Sequence, residues 1–343
     1  MKKFLNTLFV TTQGAYLNKE GESVVVSVEH EVRLRVPIHT LGGIICFGNV
    51  LCSPFLLGHC AKHSVAVSFL SEQGRFLARV HGPVSGNVLL RREQYRRADD
   101  PGCSLMMAQH VVGAKVANAR GLLQRFLRDH SERDENGLIA VAVTRLGRIL
   151  KEIKGSRDVD EVRGREGDAG REYFGVFDQL ITTQKEHFQF RERSRRPPLD
   201  NVNALLSFTY MLLVHDCVGA LEAVGLDPQV GFLHRDRSGR PSLALDLIEE
   251  LRPCIADRLV LSLINLKQVQ GKGFKRTESG AVEMSDDTRK ELLMAYQKRK
   301  QEEVQHPFLN ERMPIGLLFH AQALLLARHL RGDLDAYPPF LWK

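Results

Sequence analysis

Cysteine is sparse and scattered: six residues, at 46, 52, 60, 103, 217 and 254, with no Cys-x-x-Cys pair. That pattern in a 343-residue chain excludes a disulfide framework and the common thiolate zinc modules. No unbroken apolar run approaches the roughly 18 residues of a bilayer-spanning helix. Met1-Lys2-Lys3-Phe4-Leu5 opens like a signal peptide, but Asn6, Thr7, Thr11, Thr12 and Gln13 break the apolar stretch and no cleavage pattern follows. These absences predict a cytoplasmic protein with no membrane association. Acid is the scarcer charge, 41 Asp and Glu against 48 Lys and Arg, and the net +7 points towards polyanionic partners. A 43% hydrophobic content beside 26% charged residues excludes a largely disordered chain.

Length favours two domains, and the pattern divides accordingly. Residues 4–82 hold short β-branched or alternating runs, Leu8–Thr12, Ser23–Val28, Arg33–Ile38, Gly43–Phe47, Val65–Leu70 and Phe76–Val80, punctuated by glycines. Ser53-Pro54 is a helix cap with proline at the first helical position, which predicts one helix at 53–63. Beyond Asp99-Asp100-Pro101-Gly102 helical periodicity takes over. Segment 104–129 aligns Ala108, Val111, Val112, Ala119, Leu122, Leu123 and Phe126, with Lys115, Arg120 and Arg125 placed elsewhere on the helix. Further helices are predicted at 202–224, 287–302 and 314–330, and a hairpin at 273–284. The fold class is α+β: a small N-terminal β-sandwich-like domain with its linker (1–98), then a larger, mainly α-helical domain (99–343).

Three clusters could carry chemistry. Glu166 lies among Gly167, Ala169 and Gly170, small residues that let a ligand or backbone approach, just before an apolar helical face at Tyr173, Phe174 and Phe177. His234 closes the apolar stretch Val230–Leu233 and precedes a polar Gly/Pro turn. The triplet His234-Arg235-Asp236 imitates a kinase catalytic loop, but the chain has neither the glycine-rich loop nor Asp-Phe-Gly. Asp246, Glu249 and Glu250 share one side of a helix anchored by Leu243, Leu247 and Leu251; alternatively they form a solvated acidic edge. One imidazole with carboxylates suits Mg²⁺ or Mn²⁺ better than structural zinc. Arginines at 91, 92, 96 and 97, and at 191, 193, 195 and 196, are candidates to hold a phosphate backbone, as are Arg163, Lys275 and Arg276. A zinc site built on Cys46, Cys52 and Cys60 with His59 or His63 is the rival metal reading, against buried reduced thiols.

The runs Arg163…Glu166-Gly167-x-Ala169-x-x-x-Tyr173-Phe174, Arg195-Arg196-Pro197-Pro198-x-Asp200-x-x-Asn203-Ala204-Leu205-Leu206-Ser207-Phe208-x-Tyr210 and Gly231-Phe232-Leu233-His234…Asp246-Leu247-x-Glu249 resemble the CRISPR spacer-integration endonuclease family, the catalytic subunit of CRISPR adaptation. The tail Arg328-His329-Leu330-Arg331-Gly332-Asp333…Tyr337-Pro338-Pro339-Phe340-x-Trp342 resembles its type I-C branch. The resemblance implies a homodimer whose N-terminal domain makes dimer and partner contacts, joined with the small second adaptation protein on prespacer and repeat DNA. It implies Glu166, His234 and Glu249 as metal ligands, with Asp246 as the accompanying catalytic acid and Glu250 as the fallback ligand. The implied reaction is metal-dependent transesterification, in which a prespacer 3′-hydroxyl attacks a repeat phosphodiester; with water as nucleophile the same site is a nuclease. A non-catalytic architectural DNA binder is the alternative.

Overall fold

A computed structural model describes residues 6–63, 65–72, 76–80, 82, 88–134 and 136–342. The N-terminal part runs β1 (Asn6–Val10), β2 (Tyr16–Glu20), β3 (Ser23–Val28), β4 (Glu31–Pro37), β5 (Leu41–Phe47), β6 (Leu51–Cys52), α1 (Pro54–Lys62), β7 (Ala66–Leu70) and β8 (Phe76–Val80). These strands form two four-stranded sheets, ordered β1-β5-β7-β8 and β4-β3-β2-β6. The central strand β5 pairs in parallel with β1 and β7. Its run Ile44-Ile45-Cys46-Phe47 is buried on both faces, which is why it reads as continuously apolar. Ile44 and Cys46 turn into a small core with Val10, Leu17, Val24, Val26, Leu56 and Cys60. Ile45 and Phe47 turn the other way and join the core of the helical part. Strand β2 was invisible to pattern reading because only Leu17, fully buried, faces inward from a polar stretch. Ser53 caps α1 by accepting from the Leu56 N–H at 3.2 Å, with Pro54 at the first helical position.

The helical part comprises α2 (Val88–Asp99), α3 (Pro101–Asp129), α4 (Leu138–Lys154), α5 (Val159–Gly175), α6 (Asn201–Ala223), α7 (Ser242–Glu249), a π-helical stretch (Arg252–Asp257), α8 (Arg258–Asn265), the hairpin β9 (Phe274–Arg276) and β10 (Val282–Met284), α9 (Asp286–Gln301), the hairpin β11 (Glu303–His306) and β12 (Glu311–Pro314), and α10 (Ile315–Leu330). Aspartate caps start α3, α5 and α6. Asp100 accepts from Cys103 N, Asp158 from Glu161 N, and Asp200 from Asn203 N. Helix α6 is long and apolar enough to cross a membrane, with a mean hydropathy of 1.6, but 67% of that window is buried inside the protein. It is the central core helix. Its polar groups find partners inside; Thr209 Oγ1 donates to Leu205 O at 2.8 Å.

A buried polar seam joins the two parts. Lys300 Nζ bonds Thr7 Oγ1 at 3.1 Å and both Asp216 oxygens at 3.0 Å. Phe47 stacks on Phe208 at 5.8 Å. His215 Nδ1 lies 3.0 Å from Ser68 Oγ, and burial drives that imidazole down to about 3, so it is neutral. The C-terminal tail packs rather than projects. The Trp342 N–H donates to Asn118 Oδ1 at 2.8 Å, and the guanidinium groups of Arg258 and Arg299 cover its ring.

Candidate active site

Helix α5 brings Glu166 inside its third turn, where the sequence reading placed it just ahead of a helix. Helix α7 ends on Glu249. Helix α3 crosses both and inserts Lys115 between them: its ammonium pairs with Glu166 Oε1 and lies 2.7 Å from Glu249 Oε2. Arg252 Nη1 bonds Glu249 Oε1 at 2.6 Å. Glu249 is only 2% exposed, and burial alone would raise its pKa. The neighbouring Arg252 and Lys115 charges outweigh that cost and hold it well below the usual carboxylate range, so Glu249 is ionised at neutral pH. Its Oε2, fully shielded from solvent, faces the Lys115 ammonium and is thus balanced by a cation inside the protein.

His234 is positioned by one carboxylate. Asp246 Oδ2 accepts the N–H groups of Phe232 at 2.6 Å and Leu233 at 3.0 Å. Its Oδ1 accepts the N–H of His234 at 3.0 Å and faces His234 Nδ1 at 2.6 Å. A proton on Nδ1 is held by this contact, leaving the Nε2 lone pair free on the side of Glu249, 3.9 Å from its Oε1. Gly231 makes the packing possible, since a Cβ there would come within 2.8 Å of Asp246 Oδ2 and of the Ser242 backbone. From α5, Arg163 Nε donates to Leu233 O at 2.8 Å and clamps the loop from its other side. Asp246 therefore acts through the histidine. Asp246, Glu249 and Glu250 are all buried, which overturns the solvated-edge alternative.

Glu250 turns away from the site. Its carboxylate accepts from Tyr337 Oη at 2.7 Å, Gln322 Nε2 at 2.8 Å and Phe340 N at 2.9 Å, so it anchors the tail and does not back up Glu249. Burial pushes it up to about 7 despite these donors. An acid whose pKa rises on folding favours the folded state below its ordinary value, and that contribution is lost as pH climbs through the folded one. Stability should therefore fall from about pH 4.5 to about pH 7, by on the order of 3 kcal/mol from Glu250 alone. Urea unfolding across that range checks this, with Glu250→Gln expected to flatten the slope; an identical slope in the variant would refute it.

Beside the carboxylates opens a recess of about 450 Å³, continuous with solvent and lined by Lys115, Arg193, Arg195, Arg252, Tyr173 and Tyr210. Gly167 and Gly170 face open space, where an added Cβ would meet nothing within 4 Å. Of its four cationic side chains Arg195 is the exposed one, placed to meet a phosphodiester. The other candidate arginines divide. Arg163 holds Leu233 O, and Arg193 donates to Asn203 Oδ1 at 2.6 Å and Ser207 Oγ at 3.0 Å, so both brace the site. Arg96 and Arg97 pair with Glu93 on α2, a helix whose Gln94 bonds Asp227 O and Val230 O at the root of the histidine loop. Arg91 lies half-buried and Arg92 exposed on the same helix; Arg191, Arg195, Arg196 and Lys275 are exposed too. Arg276, also exposed, donates to Leu199 O at 3.1 Å.

Sequence reasoning missed Lys115, Arg252 and the Tyr173–Asp257–Tyr210 group. In the last, both phenols donate to a carboxyl that burial pushes up to about 6. Lys115 did leave a signal: position 115 continues the stripe 108, 112, 119, 123, and a lysine on an apolar stripe needs an acidic partner. The rival zinc set does not assemble. Cys46 and Cys52 approach to 3.9 Å between sulfurs, whereas His59 and His63 face Glu22.

A family profile described as CRISPR associated protein Cas1 matches residues 8–298. The chain is 56% identical over 343 residues to the CRISPR-associated endonuclease Cas1 1 of Chlorobaculum tepidum, each covered in full. Among solved structures, a Cas1 protein from Thermotoga maritima aligns with a TM-score of 0.83 at 22% identity, covering 98% of this chain and 99% of that one. A casposase bound to integration product aligns with a TM-score of 0.82 at 24% identity, covering 97% and 93%. At such identities the two structural likenesses bear on the fold.

Proposed function

The chain belongs to the Cas1 family of CRISPR-associated proteins, and on that premise we propose that it is a divalent-metal-dependent DNA integrase and endonuclease of CRISPR adaptation, of the type I-C branch named by its tail. The observation that supports this most is the convergence of Glu166 and Glu249 on one ammonium, with the free Nε2 of His234 beside Glu249. The residues fit Mg²⁺ or Mn²⁺: two carboxylates, one imidazole, and a buried Glu249 oxygen that already faces a cation. A cation already stands between the carboxylates as Lys115. Glu166, His234 and Glu249 would hold the ion, which would supply charge stabilisation at a non-bridging phosphate oxygen and acidify the attacking hydroxyl.

The chain's own residues do the rest. Asp246 fixes the ring orientation and tautomer of His234. Arg195, exposed at the recess, takes the phosphate backbone, while Arg252 keeps Glu249 charged. In the joining step the 3′-oxygen of incoming DNA forms a bond to phosphorus at the repeat end and gives its proton to solvent or a carboxylate. The bond from that phosphorus to the 3′-oxygen of the flanking target nucleotide breaks, and that oxygen takes up a proton to leave as a 3′-hydroxyl. Partners are double-stranded DNA, a second copy of the chain and the small second adaptation protein, in the cytoplasm.

Incubation with a 3′-hydroxyl duplex, a supercoiled repeat plasmid and the small partner tests this. Joined and nicked plasmid should form with Mn²⁺ and vanish with chelator, while retardation of the duplex in a gel persists. Chelator-insensitive behaviour throughout would favour a purely architectural DNA binder.

A further inference from the structure

Among the described residues, one set of three potential ligands has all its donor atoms within 4.8 Å of one another, and it is not the set above: Glu22, His59 and His63. His59 and His63 are one turn apart at the end of α1, their ring centroids 4.5 Å apart and edge-on. Both Nε2 atoms face Glu22 Oε2, at 3.5 and 3.8 Å. Glu22 lies in the β2–β3 turn, where its carbonyl accepts the Ile38 N–H at 2.9 Å and so fixes the backbone. His59 is only 7% exposed, yet its Nε2 has no hydrogen-bond partner. A buried ring nitrogen without a partner carries a desolvation cost that some ligand must offset.

We propose that Glu22, His59 and His63 form a second metal site, separate from the catalytic one, that takes a zinc-class ion and ties the β2–β3 turn to α1. Two imidazoles and one carboxylate are a zinc donor set, with a fourth position left to water. Ligands about 2.0–2.1 Å from a tetrahedral ion lie roughly 3.3–3.4 Å apart. The observed separations are a few tenths of an ångström wider, a gap the exposed Glu22 side chain can close. Carboxylate-rich sites favour magnesium or calcium; this imidazole-rich one does not.

The test uses the full chain, stripped with chelator, returned to buffer with excess Mg²⁺, and titrated with ZnCl₂. Wild type should bind one more zinc per chain than His59→Ala/His63→Ala and show a zinc-dependent rise in Tm that the double variant lacks. Glu22→Gln changes an exposed side chain and leaves the fold intact. Loss of even an outer-shell partner costs about 10–100-fold in metal affinity, so this variant should weaken zinc binding by at least roughly tenfold. His234→Ala should keep the additional zinc, which separates this site from the catalytic one. Equal zinc stoichiometry in wild type and the double variant, or unchanged affinity in Glu22→Gln, would overturn the proposal.

Discussion

Glu166→Gln and His234→Ala should each lower strand transfer and plasmid nicking by about 10²–10³-fold or more, the loss expected when one preorganised stabiliser of transition-state charge is removed. Duplex binding should be nearly unchanged, because affinity for DNA comes mainly from phosphate contacts made by other residues. Both substitutions suit the experiment. The Glu166 side chain is partly exposed and can become an amide without stranding a buried charge. Truncating His234 leaves Asp246 with three backbone N–H donors to occupy it. Glu249→Gln should be equally inactive but also less stable, since Arg252 and Lys115 would keep their buried charges without the carboxylate that balances them. Joining assays and gel retardation on the same preparations, with thermal unfolding of each, separate these effects. Normal joining by both Glu166→Gln and His234→Ala would remove the site.

Much of this was legible in residue order, and what was not has physical reasons. Capping residues and apolar stripes are local signals, so α1, α3, α6 and the 273–284 hairpin could be read directly. Helix α4 went unrecognised: its apolar face, Ile139, Ala142, Val143, Leu146, Ile149 and Ile153, was masked by the dense charge of the segment that follows. Glu166, His234 and Glu249 could be nominated because the family motifs run through them. Their electrostatic setting could not. Lys115 joins the site only because α3 passes beside Glu249, across a sequence separation that no periodicity encodes, whereas Arg252, three residues from Glu249, was within reach of helical spacing and went unread. What holds for Lys115 holds also for Glu250, which shares a helix end with Glu249 and yet serves the tail.

Lys115→Met separates the counter-ion role of the lysine from any role on DNA. In the metal-free protein Lys115 is the cation shared by Glu166 and Glu249, and removing one partner of such a buried pair costs about 3–5 kcal/mol. Arg252 still faces Glu249, so the variant should fold, with a lower Tm in chelator. A divalent ion entering the wild-type site must displace the ammonium; in the variant it meets Glu166 without that counter-ion and Glu249 balanced by Arg252 alone. Mn²⁺ should therefore raise the Tm of Lys115→Met more than that of wild type, and joining should half-saturate at a lower Mn²⁺ concentration. A competitor removed from a shared site strengthens the remaining ligand, whereas a metal-binding or DNA-orienting group removed weakens it. A variant that needs more Mn²⁺ than wild type would mean that Lys115 supports the ion or the phosphate instead of holding its place.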